Sequence, residues 1–165
     1  MRDFVDELLA TVPHLRRFAF VLTGDAFDAD DLVQQTVERA LTKRTQYRSG
    51  SPIHSWLLKI MQNIFLDAKR AETRRPIHLA IDDHDGALEP IEAEGETQVF
   101  AQQVMALVAE LPKAQRLVIA SVVVDGRTYE ETAGVLNIPI GTVMSRMARA
   151  RKTIYTRTKT VRSSP

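Results

Sequence analysis

Hydrophobic residues recur along most of this chain at the three-to-four-residue spacing of helices. Phe4, Val5, Leu8, Leu9 and Val12 make one such face, and Pro13, lacking an amide hydrogen, is expected to end or restart that helix. Leu15, Phe18, Ala19 and Leu22 continue on a second face until Thr23-Gly24, a plausible stop. In the stretch DADDLVQQTVERAL, Asp28 suits an N-cap, and Asp30 and Asp31 suit the positive end of a helix dipole. Leu32, Val33, Val37, Ala40 and Leu41 mark its buried side, while Asp31, Gln34, Gln35 and Glu38 form a polar stripe that any solvated helix also shows. A polar turn, Thr45 to Ser51, carries Tyr47 beside Arg48. Ser51 and Pro52 then read as an N-cap and a first-position proline for a helix reaching about Thr73.

That helix is two-faced. Ile53, Trp56, Leu57, Ile60, Ile64 and Ala68 follow one side, and Ser55, Lys59, Gln62, Asn63, Lys69 and Arg70 another, with Arg74 and Arg75 extending the charge. Cationic and amide side chains so spaced can track a phosphate backbone and present amides to bases, and Tyr47 could stack on an unpaired base. A surface helix beside a half-buried Tyr47 has the same pattern. From Pro76 to about Gln98 the periodicity is lost and seven acidic residues accumulate with Gly86, Pro90 and Gly95, the composition of a flexible linker. It resumes at Phe100, Val104, Leu107, Val108 and Leu111. The run Leu117 to Val124 would suit a buried strand by its β-branched content, but no partner strand is evident, so a helix is expected. The polar, basic residues after Thr153 are expected to fray.

Thr128 to Lys152 carries the most specific pattern. Thr128 with Glu131 forms a potential capping box, Asn137 tolerates a left-handed turn, and Pro139 opens a second helix. Ala133 and Gly134 are small where the second helix would press closest, and Val135, Leu136, Ile138, Ile140 and Val143 supply an apolar wedge. Thr142, Ser145, Arg146, Arg149, Arg151 and Lys152 then crowd the second helix with donors for phosphates and base edges. A tight turn followed by a cationic helix is what a helix-turn-helix needs to enter the major groove. An antiparallel helix pair with a solvated basic face is the bland alternative.

Composition narrows the class. Hydrophobic residues are 44% and charged residues 26%, as in a soluble globular protein. No apolar run approaches the roughly 18 residues of a membrane span, and no signal-peptide pattern opens the chain. The absence of cysteine excludes disulfides and thiolate metal sites within the chain, and a cytoplasmic location is the simplest inference. Net charge is +1, divided as +2 over residues 1–75, −7 over 76–98 and +6 over 99–165. An acidic linker between two modules, the second of them DNA-seeking, accounts for that division. Asp82, Asp83, His84 and Asp85 have no second ligand cluster at fixed spacing, so no metal site is expected. With no convincing catalytic pair and four scattered histidines, neither an enzyme nor a cofactor is expected.

Three stretches in register resemble one family, the extracytoplasmic-function branch of bacterial sigma factors. DADDLVQQTVERAL resembles the helix that docks on the polymerase clamp, and SWLLKIMQNIFLDAKR the helix that reads the −10 element. LPKAQRLVIASVVVDGRTYEETAGVLNIPIGTVMSRMARARK resembles the domain that reads the −35 element. PHLRRFA and IMQNIF are also similar to the subgroup driving the general stress response in alphaproteobacteria. The resemblance implies an all-α protein of two small domains: a region 2-like helical bundle (1–75) and a region 4-like helix-turn-helix domain (99–165), joined by a flexible acidic linker (76–98). It implies that Asp30, Asp31, Gln34 and Gln35 meet core RNA polymerase. Tyr47 and Arg48 would help hold a flipped −10 base, with Lys59, Gln62, Asn63, Lys69 and Arg70 on the opened strand. Thr142, Ser145, Arg146, Arg149, Arg151 and Lys152 would face the −35 groove. Promoter DNA and an anti-sigma factor are the further partners implied, without membrane insertion. Gln35, Gln62 and Met144 depart from the usual Asp/Glu, Arg and Lys of the family. A stand-alone helix-turn-helix regulator and a sigma mimic that sequesters an anti-sigma factor are the competing readings.

Overall fold

The computed structural model describes residues 3–48, 50–74 and 95–162, with the side chains of 69–74, 95–98, 161 and 162 left aside. The expected acidic linker and Asp82–Asp85 therefore lie almost wholly outside the described residues, as do the side chains of Lys69 and Arg70. Among the described residues there are seven α-helices and no strand.

Helix α1 (Phe4–Thr23) buries Phe4, Leu8, Thr11, Leu15, Phe18, Ala19 and Leu22 along one continuous face. It does not break at Pro13. Pro13 is exposed, so its ring and the unpaired carbonyl one turn earlier face water while burial on both sides holds the helix together. Gly24 ends it in the left-handed region at φ 76°, donating its N–H to Phe20 O at 2.8 Å.

Helix α2 (Ala26–Thr42) begins three residues earlier than the sequence suggests. Asp25, not Asp28, is its N-cap: Asp25 Oδ1 accepts the Asp28 N–H at 2.9 Å. A 3-10 turn at Arg44–Gln46 leads to α3 (Ile53–Arg74). Phe4, Tyr47 and Trp56 cluster at the base of this bundle, with ring centroids 5.4–6.1 Å apart, and Arg44 lies over the Phe4 ring.

Helix α4 (Gly95–Ala109) starts inside the stretch read as linker. Helix α5 (Lys113–Ile119) passes into a π turn at Ala120–Val124, so the β-branched run is helical after all. Asp125 N–H bonds Ala120 O at 3.1 Å, and the wider turn leaves Val123 outside while Val118, Ile119 and Ala120 are buried. Helix α6 (Tyr129–Leu136) has the expected capping box. Glu131 N–H donates to Thr128 Oγ1 at 3.1 Å, and Thr128 N–H to Glu131 Oε2 at 2.8 Å. Asn137 takes the left-handed turn at φ 53°. Helix α7 then runs from Ile140 to Arg162 without fraying at Thr153, because Ile154 packs on the core and Arg157 pairs with Glu110. Gly134 is exposed, and a Cβ added there would meet nothing within 4 Å, so close helix packing does not require a glycine at this position.

The two halves are not separate. α1 contacts α4, α5 and the π turn, and one apolar core runs from Phe4 to Ala150. Gly24 makes the closest approach: a Cβ there would lie 2.7 Å from Ala109 Cβ and 3.4 Å from Arg116 Nη1.

Candidate polymerase and nucleic-acid interfaces

Helix α2 buries Ala29, Leu32, Val33, Thr36 and Ala40, and this turns Asp30, Asp31, Gln34 and Gln35 to solvent as one patch. Their side chains are held in place. Arg16 on α1 forks onto Asp30 at 2.9 and 3.3 Å, Gln35 Nε2 donates to Asp31 at 2.7 Å, and Gln34 Nε2 donates to Glu38 at 3.0 Å. These contacts link the four side chains with Arg16 and Glu38 into one acidic and amide surface. Asp28, Asp31 and Gln35 also border a depression whose far wall is Lys113 and Arg116 of the second half.

The residues expected on the −10 strand separate. Lys59 and Asn63 are exposed on α3, and Arg48 is exposed in the preceding loop. Tyr47 is instead built into the aromatic cluster, with its hydroxyl donating to Ser51 O at 2.7 Å. Desolvation, then the Glu7 carboxylate, pushes its phenol above the ordinary range. Tyr47 shapes the loop that presents Arg48 rather than offering a bare ring. Gln62 is a correction: it is 2% exposed, with Nε2 unpaired, because α3 buries a wide arc from Leu57 to Phe65. It does not reach a strand in this conformation. Lys69 and Arg70 lie beyond the described side chains.

On α7, Val143, Met147 and Ala150 are buried and fix the rotation of the helix. At about 100° per residue, Thr142, Ser145, Arg146, Arg149 and Lys152 share an arc of about 120°. Arg149 and Lys152 are exposed, while Thr142, Ser145 and Arg146 are half-buried. Arg151 lies about 100° beyond that arc, on the flank of Met144 and Tyr155, which are 53% and 68% exposed. The structure thus assembles five of the six residues into one face and sets Arg151 apart.

Sequence reasoning missed a cluster where the halves meet. Asp125 has only 2% of its side chain exposed and faces His14 Nε2 of α1 at 3.3 Å, His54 Nε2 of α3 at 3.6 Å and the Arg127 guanidinium. The two imidazoles meet edge to face, 6.1 Å between centroids. Arg116 is likewise buried, and desolvation lowers its pKa from the usual arginine range. An Asp-Gly pair after an apolar run reads as a turn, and two histidines 40 residues apart carry no local pattern, so nothing short of the tertiary fold reveals the grouping. No group of three or more potential metal ligands occurs among the described residues.

Comparison with known proteins fits this architecture. Residues 8–62 match the family described as the Sigma2 domain of PhyR, and residues 101–154 match Sigma-70, region 4. The ECF RNA polymerase sigma factor EcfG of Rhodopseudomonas palustris (strain TIE-1) is 36% identical over 149 residues, 88% of this chain and 80% of the relative. The ECF RNA polymerase sigma-E factor of Escherichia coli (strain K12) is 31% identical over 137 residues, 77% of this chain and 72% of the relative. The sigma factor RpoE of Bartonella quintana, solved in complex with the anti-sigma factor NepR, superposes with a TM-score of 0.72 at 30% identity, covering 96% of this chain and 98% of that one. Matched in both halves and along most of its length, the chain belongs to the extracytoplasmic-function (ECF) RNA polymerase sigma factors.

Proposed function

We propose that this protein binds core RNA polymerase and directs transcription initiation from promoters with a particular pair of −10 and −35 elements. The observation that carries the reading is the α7 face. Thr142, Ser145, Arg146, Arg149 and Lys152 lie together on a helix whose opposite side is locked by Val143, Met147 and Ala150. Short hydroxyls and forked guanidinia on one rigid stripe suit base edges and flanking phosphates in a major groove. Asp30, Asp31, Gln34 and Gln35 serve as the polymerase contact, and Arg48, Lys59 and Asn63 as the contact to the melted −10 strand. Two modest DNA contacts joined through one scaffold gain from effective concentration, so neither has to be tight alone.

The relatives support three finer points. The match to EcfG and to the Sigma2 domain of PhyR supports the general-stress-response subgroup. The Bartonella neighbour, bound to an anti-sigma factor, supports an anti-sigma partner here. A cytoplasmic location accords with that role, and no described helix is long and apolar enough to cross a membrane. The test is co-elution of the purified protein with sigma-free core polymerase on a sizing column, followed by transcription from a promoter library. A stable complex that initiates at a shared pair of elements is expected. A folded, monodisperse protein that never joins the core enzyme overturns the reading.

A further inference from the structure

We propose that the outer flank of α7 is a second nucleic-acid site, a platform on which a single strand stacks while the duplex face of the same helix remains free. α7 (Ile140–Arg162) carries seven arginines and lysines and no aspartate or glutamate. Any partner on any side of it therefore meets a cationic surface. The duplex face uses Arg146, Arg149 and Lys152, and Arg157 pairs with Glu110. Arg151 and Lys159 stand outside both arrangements, exposed on the helix surface.

Tyr155 lies between these two cations, four residues from each, so the three side chains follow one another along a single strip. Of the three tyrosines in the chain, Tyr47 and Tyr129 pack on the core. Tyr155 stands off it, 68% exposed. A ring left in water forgoes the burial that the other two obtain. Met144, 53% exposed, and Ala148 continue the strip towards the turn. At about 100° per residue, Met144, Arg151 and Tyr155 point about 120–160° away from the middle of the duplex arc. A duplex seated on Arg149 and Lys152 leaves them uncovered.

The chemistry of the strip selects its occupant. Every nucleic-acid base has a flat face that a tyrosine ring can take, and the phosphates on either side find Arg151 one turn before the ring and Lys159 one turn after it. From Met144 to Tyr155 the strip is about 16 Å long, room for about five nucleotides stacked at about 3.4 Å. A second copy of the chain fits poorly, because the two strips would face each other with like charges. A lipid surface fits poorly too, since Ile140, Met144 and Tyr155 are few and cations interrupt them. An acidic protein segment would answer the cations and leave the flat ring without a counterpart.

Independence from the −35 face rests on the promoter reading above, whereas the stacking site is read with a strand that has no promoter sequence. The full-length protein is titrated against a fluorescein-labelled oligothymidylate of about 15 nucleotides. The background is Lys59→Ala with Asn63→Ala, which removes the α3 side chains offered to a melted −10 strand. There, Tyr155→Ala is expected to weaken the strand by about fivefold or more, the loss of one stacked base, and Tyr155→Phe to hold it within about twofold. Arg151→Ala should weaken it with a flatter dependence on salt. Neither Tyr155 change should move the affinity of a mixed-sequence duplex, which Arg146→Ala with Arg149→Ala should lower. An unmoved strand in Tyr155→Ala overturns the site and assigns strand binding to other surfaces. Strand and duplex falling together in Tyr155→Ala also overturns it. So does displacement of the strand by oligoglutamate as readily as by unlabelled oligothymidylate, which would mark a surface for acidic protein segments. Failure of the −35 reading shows separately, as a duplex affinity that Arg146→Ala with Arg149→Ala leaves unchanged while the Tyr155 effect persists.

Discussion

Arg146 stands at the edge of the α7 face, half-buried, with Arg149 one turn beyond it. A guanidinium fixed by a packed helix loses little freedom on reaching a base edge. Arg146→Ala is therefore expected to cost about 1–3 kcal/mol at a cognate −35 duplex and to relax preference at one position. Competition titration against single-base variants checks it, and an unaltered preference removes the role. Lys152 is a flexible point charge at the other edge of the arc. Lys152→Ala should weaken all duplexes alike and flatten the slope of log affinity against log salt by about 1. A base-specific loss would instead place Lys152 on a base edge. Arg151, on the flank of Met144 and Tyr155, provides an internal comparison, since its removal should leave sequence preference intact.

Among the elements, the helix-turn-helix depends most on local chemistry. Thr128→Ala breaks one half of the capping box and strands the Glu131 N–H, at a cost of about 1 kcal/mol. Faster amide exchange confined to α6, with a lowered melting temperature, is the expected result; an unchanged exchange pattern would mean that packing alone holds the helix. This motif is legible in the sequence because Thr128, Glu131 and Asn137 act within a few residues of one another. Asp28 misleads only because Asp25, three residues earlier, also has a side chain able to cap, whereas Pro13 and the end of α7 mislead for the opposite reason. Burial of Leu8 and Leu15 carries α1 through an exposed proline, and Ile154 with the Arg157–Glu110 pair carries α7 past Thr153. Both are decisions of the tertiary fold. The β-branched run behaves likewise, taken into a helix and a π turn by contact with α1.

For the molecule as a whole, periodicity identifies which faces are apolar but not which of them meet. Exposed polar stripes on α2 and α7 can be read because each is a single-helix property. Gln62 cannot, since its position on a polar flank says nothing of what lies across from it. Gly24 makes the same point in a form that can be measured. Its φ of 76° and the 2.7 Å approach to Ala109 leave no room for a methyl group. Gly24→Ala is expected to destabilise the chain by more than about 1 kcal/mol in urea and to enlarge its radius of gyration in solution scattering. Unchanged dimensions would show that the α1–α4 approach adapts elsewhere.

His14 and Asp125 are 111 positions apart, and this separation orders events during synthesis. α1, α2 and α3 are complete by residue 74, whereas the carboxylate that closes on them is added 51 residues later. At about 5–20 residues per second, the interval is about 3–10 s. Throughout it the nascent first half lacks the helices that pack on α1 and the end of α3. Each new chain thus passes once through a stage in which the faces of α1 and α3 that meet the second half stand uncovered, before Asp125 exists to pair with His14 and His54.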